Sequence, residues 1–189
     1  MYGYSLKGKG SDLGPPAHHH YAHGAPERGN TRALLSSLIT SHVDVIADLG
    51  CGRGFYSKYL LDYANRVYCV DVDKEALLAA TEAVKSDRMV CINASAENTD
   101  LPSKSVDIVF MANSFHDMEN KNAVVNEISR ILKERGSVII IDWNKNSKFG
   151  PPSSIKMSPE DYIGYFRGFN LEKLSAIEGQ HYCMLLKKA

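Results

Sequence analysis

The chain has no excess of charge of either sign: 22 lysines and arginines balance 22 aspartates and glutamates over 189 residues. A neutral chain makes no overall field that would draw it to nucleic acid or an acidic membrane. No apolar run approaches the roughly 20 residues that a membrane-spanning helix needs. Residues 1–14 are polar and glycine-rich, unlike the charged and then apolar start of a signal peptide. Cysteine is scarce. Cys51, Cys69, Cys91 and Cys183 form no CxxC pair, which argues against a disulfide framework and against a zinc site. These absences lead us to expect a cytoplasmic protein without a membrane partner, its thiols buried in a reducing compartment. No internal repeat divides the chain. Its length suits one domain, which we place at 41–189, preceded by an arm and cap helix at 1–40.

Strands and helices alternate through most of the chain. Leu34, Leu35, Leu38 and Ile39 have helical spacing after Asn30, a plausible cap. Strands are expected at 44–49, 66–70, 89–93, 106–111 and 137–142. Helices are expected at 54–63, at 73–86 with Asp73 as cap, and at 121–134, ending on Gly136 as a C′ residue. The unbroken Val138-Ile139-Ile140-Ile141 run suits a strand covered on both faces. Such alternation points to a parallel sheet flanked by helices. Ser158-Pro159-Glu160-Asp161 opens a further helix, expected to end near Gly168. Two closing strands, 171–177 and 181–187, flank a Glu178-Gly179-Gln180 turn and form an antiparallel hairpin. The fold class is therefore α/β, with seven strands, mostly parallel, and helices on both faces.

The densest signal is Asp48-Leu49-Gly50-Cys51-Gly52-Arg53-Gly54, an acid and a G-x-G-x-G loop after an apolar strand. Glycines there allow positive φ or let a ligand lie against bare backbone. A dinucleotide site would want G-x-G-x-x-G. With its acid, this loop resembles the first motif of the class I S-adenosylmethionine-dependent methyltransferases. Tyr68-Cys69-Val70-Asp71-Val72-Asp73 is similar to that family's second strand. Ala94-Ser95-Ala96-Glu97, Leu101-Pro102 and 105–110 resemble its third motif region and fourth strand, and Asn113-Ser114-Phe115-His116-Asp117 the segment that follows. Glu127, Arg130, Ile131, Leu132, Lys133 and Gly136, running into Ile141-Asp142-Trp143, resemble the helix-to-strand passage of the ubiquinone-biosynthesis-like, type 11 branch.

The resemblance implies a Rossmann-like fold and S-adenosyl-L-methionine as cofactor. It implies that Gly50, Gly52 and Gly54 let the backbone approach the methionine and ribose moieties, with Cys51 a small residue of the loop. It implies that Asp48 orients the amino end and that Asp71 accepts bonds from the ribose hydroxyls, with Val72 beside it. Asp73 competes for the ribose but has a capping task. Ser95 stands where many relatives carry an aspartate for the adenine amino group, so adenine recognition would shift towards the backbone around Ala96. Asn113, at the end of the fourth strand, is placed on the methionine side.

Methyl transfer from a sulfonium is an in-line displacement in which alignment and exclusion of water do most of the work. A base is needed only for an acceptor that must lose a proton. His116 follows the fourth strand and titrates near neutrality, so it is the candidate for a base or acceptor-binding group; a loop histidine bonded to backbone is the alternative. Gly150-Pro151-Pro152 lines the acceptor pocket or is only a rigid turn. His18, His19, His20 and His23 invite a metal reading, but zinc needs convergent ligands and no metal is expected. Tyr21, His23 and Pro26-Glu27-Arg28 resemble the stretch that folds over the cofactor in relatives.

The expected acceptor is a small molecule. No NPPY-type motif for a base nitrogen follows the fourth strand, and no cysteine trio is placed for arsenite. A protein or RNA methyltransferase is the runner-up, followed by an NAD-dependent oxidoreductase and a non-catalytic cofactor-binding protein. No oligomeric state is read from the sequence.

Overall fold

A computed structural model describes residues 31–189. The arm read at 1–30, with its expected fold-over stretch, histidine cluster and Asn30 cap, lies outside the described residues. The chain then runs α1 (Thr31–Leu38), β1 (Val43–Leu49), α2 (Ser57–Leu60), β2 (Ala64–Asp71), α3 (Lys74–Ala83), β3 (Met89–Asn93) and β4 (Val106–Ala112). A 3-10 turn (Phe115–Asp117) follows, then α4 (Lys121–Ile131), β5 (Leu132–Trp143), α5 (Pro159–Tyr165), β6 (Phe169–Ile177) and β7 (His181–Lys188).

One seven-stranded sheet has the order β3-β2-β1-β4-β5-β7-β6. β1 to β5 are parallel, β7 is antiparallel to β5, and β6 to β7. The α/β reading, its strand count and its terminal hairpin match this fold. Alternate residues explain the unbroken apolar strands. Val109, Met111, Val138 and Ile140 face a core shared with Val124 and Ile128 of α4 and Tyr162 of α5. Ile108, Phe110, Ile139 and Ile141 face a second core containing Leu35 of α1, Leu60 of α2 and Leu77 and Ala80 of α3. A strand buried on both faces has no polar side to show. Among the described residues, no helix is long and apolar enough to cross a membrane.

Local signals act where expected. Asp73 caps α3, accepting from Glu75 N and Ala76 N. Ser158 and Asp161 close a capping box around Pro159. Several boundaries differ, three of which matter here. The helix expected at 54–63 is helical only over Ser57–Leu60, with turns on either side. So short a helix sums few peptide dipoles towards the loop before it. α5 ends at Tyr165, short of Gly168. The third difference is at α4, which stops at Ile131: Leu132 turns extended and pairs with Val106 in β5. Gly136 is therefore not a C′ residue. It sits inside β5 beside a register shift, where an added Cβ would lie 2.7 Å from Leu132 Cδ2 and 3.2 Å from the Asp107 carbonyl oxygen. Close approach of chains, not a left-handed turn, selects glycine there.

Candidate active site

In an open α/β sheet the ligand crevice lies beyond the carboxyl ends of the strands, where connections diverge. Here that point is between β1 and β4. The loop after β1 carries Gly50, Gly52 and Gly54, all with positive φ (73°, 52° and 73°), but their surroundings differ. A Cβ on Gly50 would lie 2.5 Å from Ser114 Cβ, and one on Gly54 3.0 Å from Ala80 Cβ. One on Gly52 would meet nothing within 4 Å. Gly50 and Gly54 thus let the loop pack on the β4 turn and on α3, while Gly52 turns bare backbone to open space. Gly50→Ala should cost more stability than Gly52→Ala, whose penalty is about 1–2 kcal/mol of left-handed strain. Urea unfolding of the two variants checks the order, and equal losses would contradict it.

Asp71, ending β2, ties this loop down. Its Oδ2 accepts from Gly52 N at 2.7 Å and its Oδ1 from Asp73 N at 2.9 Å. Behind the loop Asp48 is 2% exposed and accepts from Ser57 Oγ at 2.6 Å. Burial pushes its carboxyl up, the Ser57 bond only partly offsets this, and Asp71 adds repulsion, leaving it at about 7. Tyr56 packs on Phe110, and its buried hydroxyl has no partner. At the end of β4, Asn113 takes φ +54° and donates its N–H to the Ile141 carbonyl. Its Oδ1 is buried without a partner. Left-handed asparagine and orphaned polar atoms are the outliers that gather at binding sites. Val72 and Ser95 are exposed and Ala96 is half-buried at the ends of β2 and β3; Ser95 Oγ accepts from Glu97 N. Cys51 is half-buried in the loop, and all four cysteines are free.

His116 does not sit as a base would. It is 5% exposed, and Nδ1 donates to Asp142 at 2.9 Å while Nε2 faces Asp117 Oδ2 at 3.4 Å. Asp142, itself buried, also accepts from Tyr162 Oη and Trp143 N. Burial opposes the imidazolium, but the two carboxylates outweigh it and lift His116 to about 9. A cation at neutral pH with both nitrogens engaged has no lone pair to offer. That arrangement speaks for His116 as a clamp between the β4 turn and β5 and against the base expected from the sequence. The clamp is stabilising in full below the unfolded pKa of about 6.5 and is lost as pH rises through about 9. We expect wild-type protein to lose on the order of 1–3 kcal/mol between pH 6 and 10 and His116→Gln to lose much less, read from urea midpoints. Parallel pH profiles would remove the clamp.

Sequence reasoning missed Tyr56, Tyr162, His181 and the part played by Asp142. Asp142 lies one residue from the end of its strand and Asp71 at the end of its own, a signal that could have marked it. The others carry no sequence pattern, because their partners are fixed by packing. Among the described residues no group of metal-ligating side chains is assembled.

Residues 47–140 match the methyltransferase domain family, type 11. A crystal structure from Sulfolobus solfataricus assigned as a type 11 methyltransferase is 42% identical, with a TM-score of 0.76 covering 82% of this chain and 90% of that one. An uncharacterized methyltransferase of Schizosaccharomyces pombe is 26% identical over 58% of this chain and 44% of its own length. The 2-methyl-6-phytyl-1,4-hydroquinone methyltransferase of Synechocystis is 26% identical over 71% of this chain and 47% of its own. The chain thus spans less than half the length of these two curated relatives.

Proposed function

Because this chain belongs to the type 11 methyltransferase domain family, we propose that it transfers the methyl group of S-adenosyl-L-methionine to a small-molecule acceptor. The observation that carries the reading is Gly52, whose open, positive-φ backbone lies a single hydrogen bond from the Asp71 carboxylate. Each Asp71 oxygen already accepts one backbone N–H and keeps a further lone pair. That leaves one acceptor for each ribose hydroxyl.

Gly50, Cys51 and Gly54 shape the loop against the protein and leave Gly52 as the surface the ligand meets. Val72 and Ala96 border the adenine end, with Ser95 as an uncharged partner. Asp48 and the orphaned Asn113 Oδ1 suit the ammonium of the methionine end: an approaching cation would favour the charged form of a carboxyl now near 7. The bound ligand supplies a sulfonium whose methyl departs from a neutral thioether. The chain's own residues hold, orient and exclude water, and His116 fixes the turn that carries Asn113. A small acceptor is supported by the hydroquinone named for the cyanobacterial relative.

Thermal shift with S-adenosylmethionine, S-adenosylhomocysteine and NAD tests the reading. A ligand bound by the folded state raises its melting temperature by mass action. We expect a rise with the two adenosyl compounds; stabilisation by NAD alone would overturn it.

A further inference from the structure

We propose that His181 is the general base of an acceptor subsite at the carboxyl end of β5, serving a neutral acceptor with a weakly acidic O–H or S–H. This rests on the methyltransferase reading.

β7 is antiparallel to β5, so its first residue meets the last residue of β5: His181 pairs with Trp143. Both therefore lie at the edge of the sheet that carries the glycine loop, and the bond from Asn113 N to the Ile141 carbonyl places the end of β4 alongside. His181 is 4% exposed, and its Nε2 has no hydrogen-bond partner. Leaving a buried polar atom unpaired costs about 1–3 kcal/mol, so an orphan at the ligand edge of a sheet needs an explanation. The ring is held in place. It stacks on Trp143 at 4.0 Å, and Gly150, with φ +84°, lies against the indole, where any Cβ would overlap it.

The segment from 144 to 158 is pinned around these rings. Ser147 Oγ bonds Gln180 Oε1 at 2.6 Å, Lys156 Nζ donates to the Ser147 and Phe149 carbonyls at 2.7 Å each, and Tyr182 Oη donates to the Met157 carbonyl. Phe149 is 65% exposed. Gly150, at the head of Gly150-Pro151-Pro152, packs on the indole.

The two histidines of this edge are set apart by their surroundings. His116 is held cationic between carboxylates. Burial pushes His181 below its ordinary value, and Asp142 and Glu178, the charges that act on it, only partly oppose this. An unpaired imidazole nitrogen serves an acceptor that arrives protonated and must lose its proton as it attacks.

A phenol-type hydroxyl (pKa about 10) or a thiol (about 8.5) is acidic enough to hand a proton to imidazole as it attacks. An aryl ether of the same shape has no proton to give and cannot use a base. In the reaction the acceptor oxygen or sulfur bonds to the methyl carbon. The carbon–sulfonium bond breaks, leaving its electron pair on the departing sulfur, and the acceptor's proton moves to His181 Nε2.

Imidazole nitrogen NMR on the full chain, labelled with 15N-histidine and saturated with S-adenosylhomocysteine, tests this. Phenol, butanethiol and anisole serve as probes. We expect His181 to be neutral at pH 7 with its proton on Nδ1, and its Nε2 resonance to move with phenol or butanethiol but not with anisole, which has no proton to give. A cationic His181, the opposite tautomer, or a resonance indifferent to both protic probes would overturn the proposal. Wild-type protein should then move a labelled methyl to the probe that shifts the resonance. His181→Gln, checked for folding by its melting curve, should lose about a hundredfold in kcat with KM for S-adenosylmethionine unchanged. Equal turnover in the two proteins, or no transfer by wild type, would also overturn it. Should the variant fail to fold, the wild-type spectra still decide. A chain that fails to bind S-adenosylhomocysteine yet shows the shift would reject the methyltransferase reading and retain the subsite.

Discussion

Asp71→Ala is expected to weaken S-adenosylhomocysteine binding by about 1–3 kcal/mol, roughly 5- to 150-fold, measured by isothermal titration. Two effects combine. The carboxylate no longer accepts from the ribose hydroxyls, and the Gly52 and Asp73 N–H groups lose the acceptor that fixes the loop. The unliganded protein should therefore also melt lower. Asp71→Asn keeps one neutral acceptor oxygen and should fall between wild type and Asp71→Ala in both measurements. Lowered stability with unchanged affinity would leave Asp71 as a loop tether and remove it from the ribose site.

Glu127→Ala should be strongly destabilising for a change outside the apolar core, at roughly 1–3 kcal/mol. Glu127 is buried. Its Oε1 accepts from Thr99 N at 2.8 Å, Thr99 Oγ1 at 2.6 Å and Arg130 Nη2 at 2.7 Å, and its Oε2 from Arg130 Nε at 2.7 Å. Arg130 also donates to the Leu101 carbonyl. One carboxylate therefore joins α4 to the segment leading into β4, which explains in physical terms the Glu127–Arg130 pair seen in the sequence. Its removal leaves the buried Thr99 N–H unpaired and Arg130 without its counter-ion. At about 2–4 °C per kcal/mol for a chain of this size, a melting temperature lower by about 2–12 °C is expected; a shift under 2 °C would contradict the assignment. Arg130 chiefly, with Thr99, overcomes burial and holds this carboxyl at about 2. Its contribution is complete above the unfolded pKa of about 4.5 and is lost as pH falls from there through about 2, so wild type should keep most of this stabilisation at pH 4 and little of it below pH 2.

The strands were legible because burial on both faces leaves an unbroken apolar run, as in Val138–Ile141. The caps Asp73 and Ser158 were legible because capping is local, satisfied within three residues. α4 was read too long because Lys133 and Glu134 are good helix formers, and nothing local reveals that Leu132 has a strand partner in Val106. Gly136 misled because its crowding, by Leu132 and the Lys133 carbonyl within β5 and by the Asp107 carbonyl of β4, arises only once the chain has bent into the sheet.

By itself the sequence determined the alternation of elements, the glycine loop after β1 and the acid that ends β2, since each is a short pattern whose physical cause lies within a few residues. Tertiary structure alone decided which glycine faces open space, that His116 is clamped by Asp142, and that His181 comes to rest on Trp143 with a nitrogen unpaired. Those facts depend on strand order and register, which bring distant residues to one edge of the sheet, and charge and protonation there follow from neighbours that no local pattern names.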